Sequence, residues 1–370
     1  MSYDSNARYD TPLAVKIKNE IGRNGPMTVA RYMSECLWDD AHGYYATRPV
    51  IGRGGDFITS AEISQVFGEL VGLWVAVVWQ SVLGAPRQLQ FVEYGPGRGT
   101  LMFDCLRAAR VVPGFLDAVS VHLVEVSGTL AALQRQTLAT MPVAISWGQG
   151  LADFQTPAIV IANEFLDSWP VDQWIKADDG WCQRGVGVDA NGRLCFTIML
   201  DAPRRRDLDA VLPGAAVGDI YESVRTELLA QALQAVAQTG PLAMLLIDYG
   251  HTLPSSGDTL QAVRGHAYES PLAAPGEADL SAHVNFYDLA VALHGAALEI
   301  DGPVTQTEFL GALGIVERAS RLMNANAARA GEIETGAARI IAPNGMGSRF
   351  KAIGIRSPGL APLPGFHPKS

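Results

Sequence analysis

The stretch Phe91-Val-Glu-Tyr-Gly-Pro-Gly-Arg-Gly-Thr100 decides the fold class of this chain. The pattern is typical of a buried strand that ends in a carboxylate, then a glycine-rich turn and the start of a helix. Glycine has no Cβ, so such a turn lets a nucleotide-like ligand approach the backbone closely. The spacing is G-x-G-x-G, and Thr100 stands where the dinucleotide-binding pattern G-x-G-x-x-G requires glycine or alanine.

The carboxylate of Glu93 discriminates between classes of ligand. It stands two residues before Gly95, where we expect it to face the ligand and to repel a pyrophosphate. S-adenosylmethionine carries a sulfonium and an ammonium but no phosphate, so a carboxylate attracts it. The turn therefore predicts an S-adenosylmethionine site that includes Glu93, Gly95, Gly97 and Gly99, and it disfavours a nicotinamide dehydrogenase.

Composition excludes several other classes. The chain has 370 residues, of which 48% are hydrophobic and 18% charged, as in a large globular protein. A net charge of −10 disfavours binding to nucleic acid or to an anionic membrane. The N-terminus lacks the features of a signal peptide, and the longest apolar run, Leu70–Trp79, is about half a membrane span. We therefore expect a cytoplasmic protein with no membrane partner.

The four cysteines predict neither zinc nor a disulfide. None of them forms a C-x-x-C pair, so we expect no structural metal site. Cys182 and Cys195 could face each other across a hairpin, but buried thiols in a reducing compartment are the favoured interpretation.

The pattern of elements predicts an α/β protein with additions. Residues 1–87 are expected to form a helical and loop extension over the active site, with helix in 11–40 broken at Gly25-Pro26 and a long loop near 42–61. Strands and helices then alternate, as in a doubly wound, mostly parallel sheet with its ligand site at the carboxyl ends of the strands. The expected strands are 88–94, 120–126, 143–147, 157–163, 242–248 and 348–355, and the expected helices 99–110, 128–140, 219–238, 285–299, 305–313 and 317–330. Within the domain 88–356 we expect an antiparallel insertion at about 171–200 and a helical insertion at about 268–330, followed by a proline-rich tail at 357–370.

Acidic residues follow two further strands. Glu125 ends the second strand, where a carboxylate can accept both ribose hydroxyls of an adenosyl group. The fourth strand breaks into Asn163-Glu164-Phe165-Leu-Asp167 beside aromatic residues. Asn163 could bond the amino-acid part of the donor, and Glu164 and Asp167 could hold a cationic acceptor and help to remove its proton. The alternative is a capped turn in which Asp167 caps a short helix.

Two histidines near strand ends are weaker candidates. His251 follows the strand 242–248 and could act as a base, although a loop histidine with a satisfied hydrogen bond is the favoured interpretation. His283 ends a segment with two acids, where helix capping by Ser281 or Asn285 is favoured over a metal site.

Several segments together resemble the MidA-like family, a branch of the seven-stranded, class I S-adenosylmethionine-dependent methyltransferases. The resemblance extends from about residue 12 to residue 356 without a missing block. It is carried by residues 25–33, 42–45, 55–60, 62–70, 93–101, 162–165 and 276–283.

The resemblance implies a function and roles for residues. Mitochondrial members of the family are complex I assembly factors that symmetrically dimethylate an arginine of a core subunit. By the resemblance, Gly95, Gly97 and Gly99 bind the donor with Glu93 behind them, Glu125 binds the ribose, and Asn163 and Glu164 lie beside the methyl group. A planar guanidinium that sheds a proton on alkylation needs acids to hold it in place.

The leading hypothesis is a protein-arginine N-methyltransferase that acts on a partner polypeptide, which could be a respiratory complex I subunit. Methylation of a small molecule by the same donor site is a second hypothesis. A non-catalytic assembly chaperone that retains the donor-binding fold is a third.

Overall fold

The computed structural model describes residues 10–47 and 59–366. Most of the glycine-rich part of the loop near 52–62 and the last residues of the tail, 367–370, lie outside this range.

Helices make up the outer layers of the fold. Their bounds are α1 Pro12–Asn24, α2 Val29–Trp38, α3 Tyr44–Thr47, α4 Ser60–Ile63, α5 Gln65–Val77, α6 Thr100–Ala109, α7 Phe115–Ala118, α8 Gly128–Thr137, α9 Leu208–Val211, α10 Thr226–Ala237, α11 Phe286–Gly295, α12 Gln306–Ala312, α13 Ile315–Ala325, α14 Ala330–Ile341 and α15 Met346–Arg349. A π-helical turn over Val78–Val82 continues α5, and a 3₁₀ turn over Ala327–Arg329 precedes α14.

Strands form three sheets. Their bounds are β1 Met27–Thr28, β2 Leu89–Tyr94, β3 Val119–Val124, β4 Ala144–Gly148, β5 Ala158–Asn163, β6 Val171–Ala177, β7 Gly180–Val188, β8 Leu194–Ile198, β9 Ile220–Val224, β10 Leu242–His251, β11 Gln261–Arg264, β12 Ala267–Glu269, β13 Asp279–Ser281, β14 Val284–Asn285, β15 Glu299–Thr305 and β16 Phe350–Arg356.

The central sheet has the order β15-β16-β10-β5-β2-β3-β4, with β14 added at the end of β10. Five neighbouring strands pair in parallel, and β16 runs antiparallel to both β10 and β15. The prediction of a mostly parallel, seven-stranded sheet is confirmed. Parallel strands carry their carboxyl ends to one edge, so the ends of β2, β3 and β5 meet there.

Both faces of this sheet are covered, which explains the continuous apolar strands. Successive residues of a strand point to opposite faces. Phe91 and Ile161 pack toward α5 and α6, while Val92 and Val160 pack toward α10 and α11.

An antiparallel sheet lies beside the domain, with the order β1-β7-β6-β9 and β8 paired to β7. The predicted antiparallel insertion is therefore present, but it extends further than expected. The expected helix 219–238 is wrong in its first part, because Ile220–Val224 is strand β9 and pairs with β6. Cys182 does not face Cys195, because the β7–β8 register places Cys195 opposite Gly187, and both cysteines are free thiols.

The segment 268–330 is not simply a helical insertion. Its first part holds short strands, of which β12 and β13 pair with the preceding strand β11 to form the third sheet. The expected helices 285–299 and 305–313 left residues 300–304 unassigned, and Glu299–Thr305 is the edge strand β15 of the central sheet. The tail also packs onto the core, where Leu363 is buried and Pro364 accepts a hydrogen bond from the Trp74 indole.

One helical stretch, Gln65–Val82, is long and apolar enough to cross a membrane by length and composition. Two-thirds of it is buried inside the fold, where it packs against α6 and the central sheet. Gly72 makes this contact possible, because a Cβ there would lie 2.4 Å from the Cys105 Cα. The core of a globular protein accounts for such a helix.

Candidate functional site

The glycine turn lies at the carboxyl end of β2, where the expected ligand edge is. Gly95, Gly97 and Gly99 have φ angles of 62°, 53° and 81°, a left-handed conformation that favours glycine. A Cβ on Gly95 would also lie 2.8 Å from a ring carbon of Phe165. The turn therefore requires glycine for two reasons: its backbone has positive φ angles, and the Phe165 ring packs against Gly95 where a Cβ would lie.

A cavity of about 880 Å³ opens beside this turn. One wall, here the glycine-turn wall, comes from the ends of β2, β3 and β4 and the start of α8, and comprises Gly95, Gly97, Val124, Glu125, Val126, Ser127, Gly128, Thr129, Leu130, Gln149 and Leu151. The facing side, here the aromatic wall, comprises Trp38, Asp40, Tyr45, Glu164, Phe165, Ser168, Trp169, Pro170 and Leu228. Among these described lining residues there are three carboxylates and no lysine, arginine or histidine.

Glu125 lies at the edge of the cavity directly after β3, as expected. Its Oε1 accepts the Ser127 N–H at 2.7 Å, and its Oε2 accepts Nε2 of Gln134 at 2.9 Å. Burial raises the pKa of Glu125, and these two hydrogen bonds oppose the rise. The carboxylate is held in one orientation at the cavity edge.

Glu93 lies below the turn and not in the cavity wall. Its side chain points toward α6, where the Met102 N–H donates to it, and its Oε2 is buried without a hydrogen-bond partner among the described residues. Burial, and then the charge of Glu125, raise its pKa to about 8. The expectation that Glu93 faces the ligand is not met. The placement behind the glycines, which the family resemblance implies, describes it better.

Glu164 lies in the aromatic wall with a strained backbone. Its φ of 53° is unusual for a residue with a side chain, and such strain clusters at functional sites. One carboxylate oxygen accepts the Ser60 N–H at 2.7 Å, the Ser60 hydroxyl at 3.0 Å and the Asn163 amide at 3.2 Å. Burial is the largest cause that raises the Glu164 pKa to about 7.

The segment before α5 connects the two walls. Ser60 binds Glu164, while Glu62 accepts the Thr100 hydroxyl at 2.6 Å at the start of α6, directly after the glycine turn. The described part of the 52–62 loop therefore lies at the site.

Asn163 and Asp167 are close to the cavity but do not line it. The Asn163 amide contacts Glu164, and its Oδ1 is buried without a partner among the described residues. Asp167 is buried, and its burial raises its pKa to about 6. It caps no helix, since the chain from 164 to 170 has none, and its carbonyl accepts the Ala282 N–H.

A buried aspartate at the end of β10 holds this acidic segment in place. One oxygen of Asp248 accepts three backbone N–H groups, from Phe165, Leu166 and Asp167, at 2.8 to 3.2 Å. Its other oxygen accepts the Tyr249 N–H at 2.9 Å. Asp248 was not among the residues predicted for the site, although His251 nearby was. The signal in the sequence is a carboxylate at the end of a strongly apolar run, within the strand β10.

The rim of the aromatic wall comes from the N-terminal extension. Trp38 and Tyr45 stack with their ring centroids 4.5 Å apart, and the Tyr45 hydroxyl donates to Asp279 at 3.2 Å. Gly276 makes this packing possible, because a Cβ there would lie 2.2 Å from the His42 carbonyl oxygen. The family-like segments 42–45 and 276–283 therefore support each other.

The two histidine candidates lie outside the cavity wall. His251 Nε2 is buried without a partner among the described residues, and burial lowers the pKa of the ring. His283 has its ring 5.4 Å from that of Tyr249, and its pKa is also lowered, first by burial. Both rings are therefore more weakly basic than an exposed histidine. The described residues contain no cluster of three potential metal ligands.

Comparison with known proteins identifies the family. The profile of a family of S-adenosyl-L-methionine-dependent methyltransferases matches residues 70–304. The chain belongs to this family. It is 35% identical to the mouse and human proteins named protein arginine methyltransferase NDUFAF7, mitochondrial, over 92% of the chain and 83% and 82% of those proteins. The Drosophila melanogaster homologue is 34% identical over 93% of the chain and 84% of its own length.

Solved structures agree with this assignment. A Burkholderia thailandensis protein crystallised with S-adenosyl-homocysteine superposes with a TM-score of 0.83 at 27% identity, covering 95% of this chain and 93% of that one. A native structure from the same organism gives 0.82 at 26% identity, with 97% and 94% covered. The methyltransferase therefore uses S-adenosylmethionine as its donor, and its fold is that of class I methyltransferases.

Proposed function

We propose that this methyltransferase transfers methyl groups to arginine side chains of a partner protein. The observation that carries the proposal is the aromatic wall, where the half-buried acid Glu164 lies among aromatic rings and none of the described lining residues is cationic. Such a wall repels phosphate or carboxylate acceptors and suits a planar cation, which pairs with acids and stacks on aromatic faces. The names of the curated relatives support the same acceptor.

The donor occupies the glycine-turn wall in this proposal. Glu125 accepts the ribose hydroxyls, and the backbone at Gly95 and Gly97 leaves room for the adenosyl group because no Cβ projects there. Gly99 starts α6, and Glu93 supports the turn from behind. Asn163 acts behind Glu164, where its amide donates to the Glu164 carboxylate and helps to hold it beside the donor. The bound donor supplies an electrophilic methyl group on sulfur.

Glu164 orients the acceptor and accepts its proton. A guanidinium nitrogen forms a bond to the methyl carbon as the sulfur–carbon bond breaks, and the alkylated nitrogen must lose one proton. A carboxylate with a pKa of about 7 is ionised in a useful fraction near neutral pH and is basic enough to take that proton. Asp167 adds negative potential from behind this carboxylate, since its charge contributes to the raised pKa of Glu164.

The acceptor polypeptide reaches the site across the rim formed by Trp38 and Tyr45. A respiratory complex I subunit, which the family resemblance implies, is the specific partner that we propose. Cytoplasmic residence in a bacterium stays a prediction that cell fractionation tests, since the curated relatives are named mitochondrial.

The test is transfer of an isotopically labelled methyl group from S-adenosylmethionine in an extract of cells that lack this protein, followed by mass spectrometry. We expect label in methylated arginine of a polypeptide with the wild-type protein and none with Glu164→Gln. Label confined to small molecules would establish the second hypothesis. Saturable binding of S-adenosylhomocysteine without any transfer would favour an assembly protein.

A further inference from the structure

A fully buried glutamine lies behind the glycine turn. Gln134 belongs to α8, where Leu130, Gln134 and Leu138 form the buried stripe of the helix at four-residue intervals. A primary amide in an apolar stripe costs free energy unless its hydrogen-bonding groups are satisfied.

The amide is satisfied by groups from three different elements. Its Nε2 donates to the Gly97 carbonyl at 2.8 Å and to Oε2 of Glu125 at 2.9 Å. Its Oε1 accepts the indole N–H of Trp147, on β4, at 2.9 Å. Gly97 and Trp147 therefore fix the amide, and the amide in turn fixes the Glu125 carboxylate.

The hydrogen bonds of Glu125 leave a specific capacity open. An ionised carboxylate offers about four lone-pair sites. The Ser127 N–H and Gln134 use one on each oxygen, and the Val126 N–H also interacts with the carboxylate. The acceptor capacity that remains faces the cavity and suits the hydroxyls of a ribose.

We propose that Gln134 is a positioning residue that aims Glu125 at the ribose hydroxyls of the donor. The proposal rests on the placement of the ribose at Glu125 and goes beyond it, because Gln134 itself does not line the cavity. Removing its amide leaves Oε2 of Glu125 without this donor while the Ser127 N–H still holds Oε1, so the carboxylate is less well oriented and the loss of affinity falls on the part of the ligand that Glu125 holds.

The test measures binding of S-adenosylhomocysteine and of its 2′-deoxy and 3′-deoxy forms by calorimetry. Gln134→Met keeps the shape of the side chain and removes its hydrogen bonds, and Gln134→Glu places a second carboxylate against Glu125. Gln136→Met, an exposed site on the same helix, controls for the helix itself. The calorimetric stoichiometry counts only folded protein, so partial misfolding does not distort the affinities.

We expect wild-type protein to bind the parent ligand about 10-fold or more tightly than either deoxy form, as for hydrogen bonds to a charged group. In Gln134→Met, the affinity for the parent ligand should fall by a similar factor, and the affinity for the deoxy forms should change little. In Gln134→Glu, the affinity for the parent ligand should fall further than in Gln134→Met. Equal losses for all three ligands would overturn the positioning role. A wild-type protein that does not distinguish the ligands would instead overturn the ribose placement.

Discussion

At the residue scale, the chemistry depends on where each acid lies relative to the cavity. Glu125 and Glu164 line it, while Glu93 and Asp167 are buried behind it. A carboxylate in the wall can bind or take a proton, whereas one behind the wall changes only the potential and the packing. The four acids therefore have different roles despite similar positions after strands.

Glu164→Gln should abolish methyl transfer and preserve S-adenosylhomocysteine affinity, because the amide keeps an oxygen for Ser60 but cannot accept a proton. In the wild type, kcat should fall as pH drops below about 7, since the base must be ionised and its pKa is about 7. Kinetics with the acceptor protein across pH 6 to 9 provide the measurement. Asp40→Asn, at an exposed lining acid, is the matched control and should change KM more than kcat. Full turnover by Glu164→Gln would exclude a base role.

Gly97→Val should abolish donor binding, because this residue lines the cavity with a φ of 53°. A branched side chain is strained in that conformation and occupies the space of the adenosyl group. Gly84→Val has a comparable φ of 74° and open surroundings outside the cavity wall, so it controls for backbone strain. Unchanged calorimetric affinity of Gly97→Val for S-adenosylhomocysteine would refute the donor placement.

At the scale of elements, a strand and a helix act as clamps for functional segments. The end of β10 fixes the segment after β5 through Asp248, and α8 fixes the segment after β3 through Gln134. The Asp248 clamp joins strands that are adjacent in the sheet but distant along the chain, whereas the Gln134 clamp is local, with Gln134 nine residues after Glu125.

Asp248→Asn should destabilise the protein by about 2 kcal/mol or more. Both oxygens of the Asp248 carboxylate accept backbone N–H groups, whereas the amide of asparagine has only one acceptor oxygen, so at least one N–H group would lose its partner. Turnover should fall further than the folded fraction does, since Glu164 begins the segment that these bonds hold. Denaturant unfolding and kcat together measure the two effects. Asp172→Asn, in β6 outside this network, is a control that should leave both nearly unchanged.

Gly276→Ala should weaken acceptor turnover more than donor affinity, because its Cβ would displace the His42 carbonyl and with it the Tyr45 rim. Gly265→Ala in the same region is the control, because Gly265 has a φ of 56° and a Cβ added there would meet no atom within 4 Å, so the variant shares the backbone strain without the clash. Steady-state kinetics of the two variants give the comparison. Equal kinetic parameters for the two variants would show that the contact between residues 276 and 42 does not affect turnover of the acceptor.

The order of elements and the ligand edge could be predicted because they follow from local patterns. Apolar strands alternate with helices, and parallel strands end at one edge, so Glu125 and Glu164 could be expected at that edge, and both line the cavity. The side-chain direction of Glu93, the clamps Gln134 and Asp248, and the Trp38–Tyr45 rim depend on tertiary contacts. The sequence signals for the two clamps were a polar residue in the apolar stripe of a helix, for Gln134, and a polar residue in an apolar strand, for Asp248. Strands β9 and β15 were missed because pairing with distant strands overrides weak local preference.

At the scale of the whole molecule, buried acids connect the site to stability. The folded-state pKa values of Glu93 and Glu164, about 8 and 7, are above their value of 4.5 in a model peptide. Between about pH 4.5 and pH 8, the folded protein therefore binds more protons at these two acids than the unfolded chain does. Their stabilising contribution is present at low pH and is lost as pH rises.

The ligand-free protein should therefore have a lower melting temperature at pH 8 than at pH 6.5. Histidines with lowered pKa values oppose this trend only below about pH 6.5, where the unfolded chain takes up their protons. Calorimetric scans of the wild type and Glu93→Gln test the idea, and the variant should show a flatter pH dependence. An identical slope would indicate that Glu93 is already ionised in the fold.

The cavity is one continuous space between its two walls. A single molecule that joins an adenosyl group to a guanidinium by a short tether therefore has room to occupy both walls at once. Tethering spares such an inhibitor the entropy of bringing two ligands together, and its selectivity would come from the acceptor end, because adenosyl recognition is shared with many other enzymes.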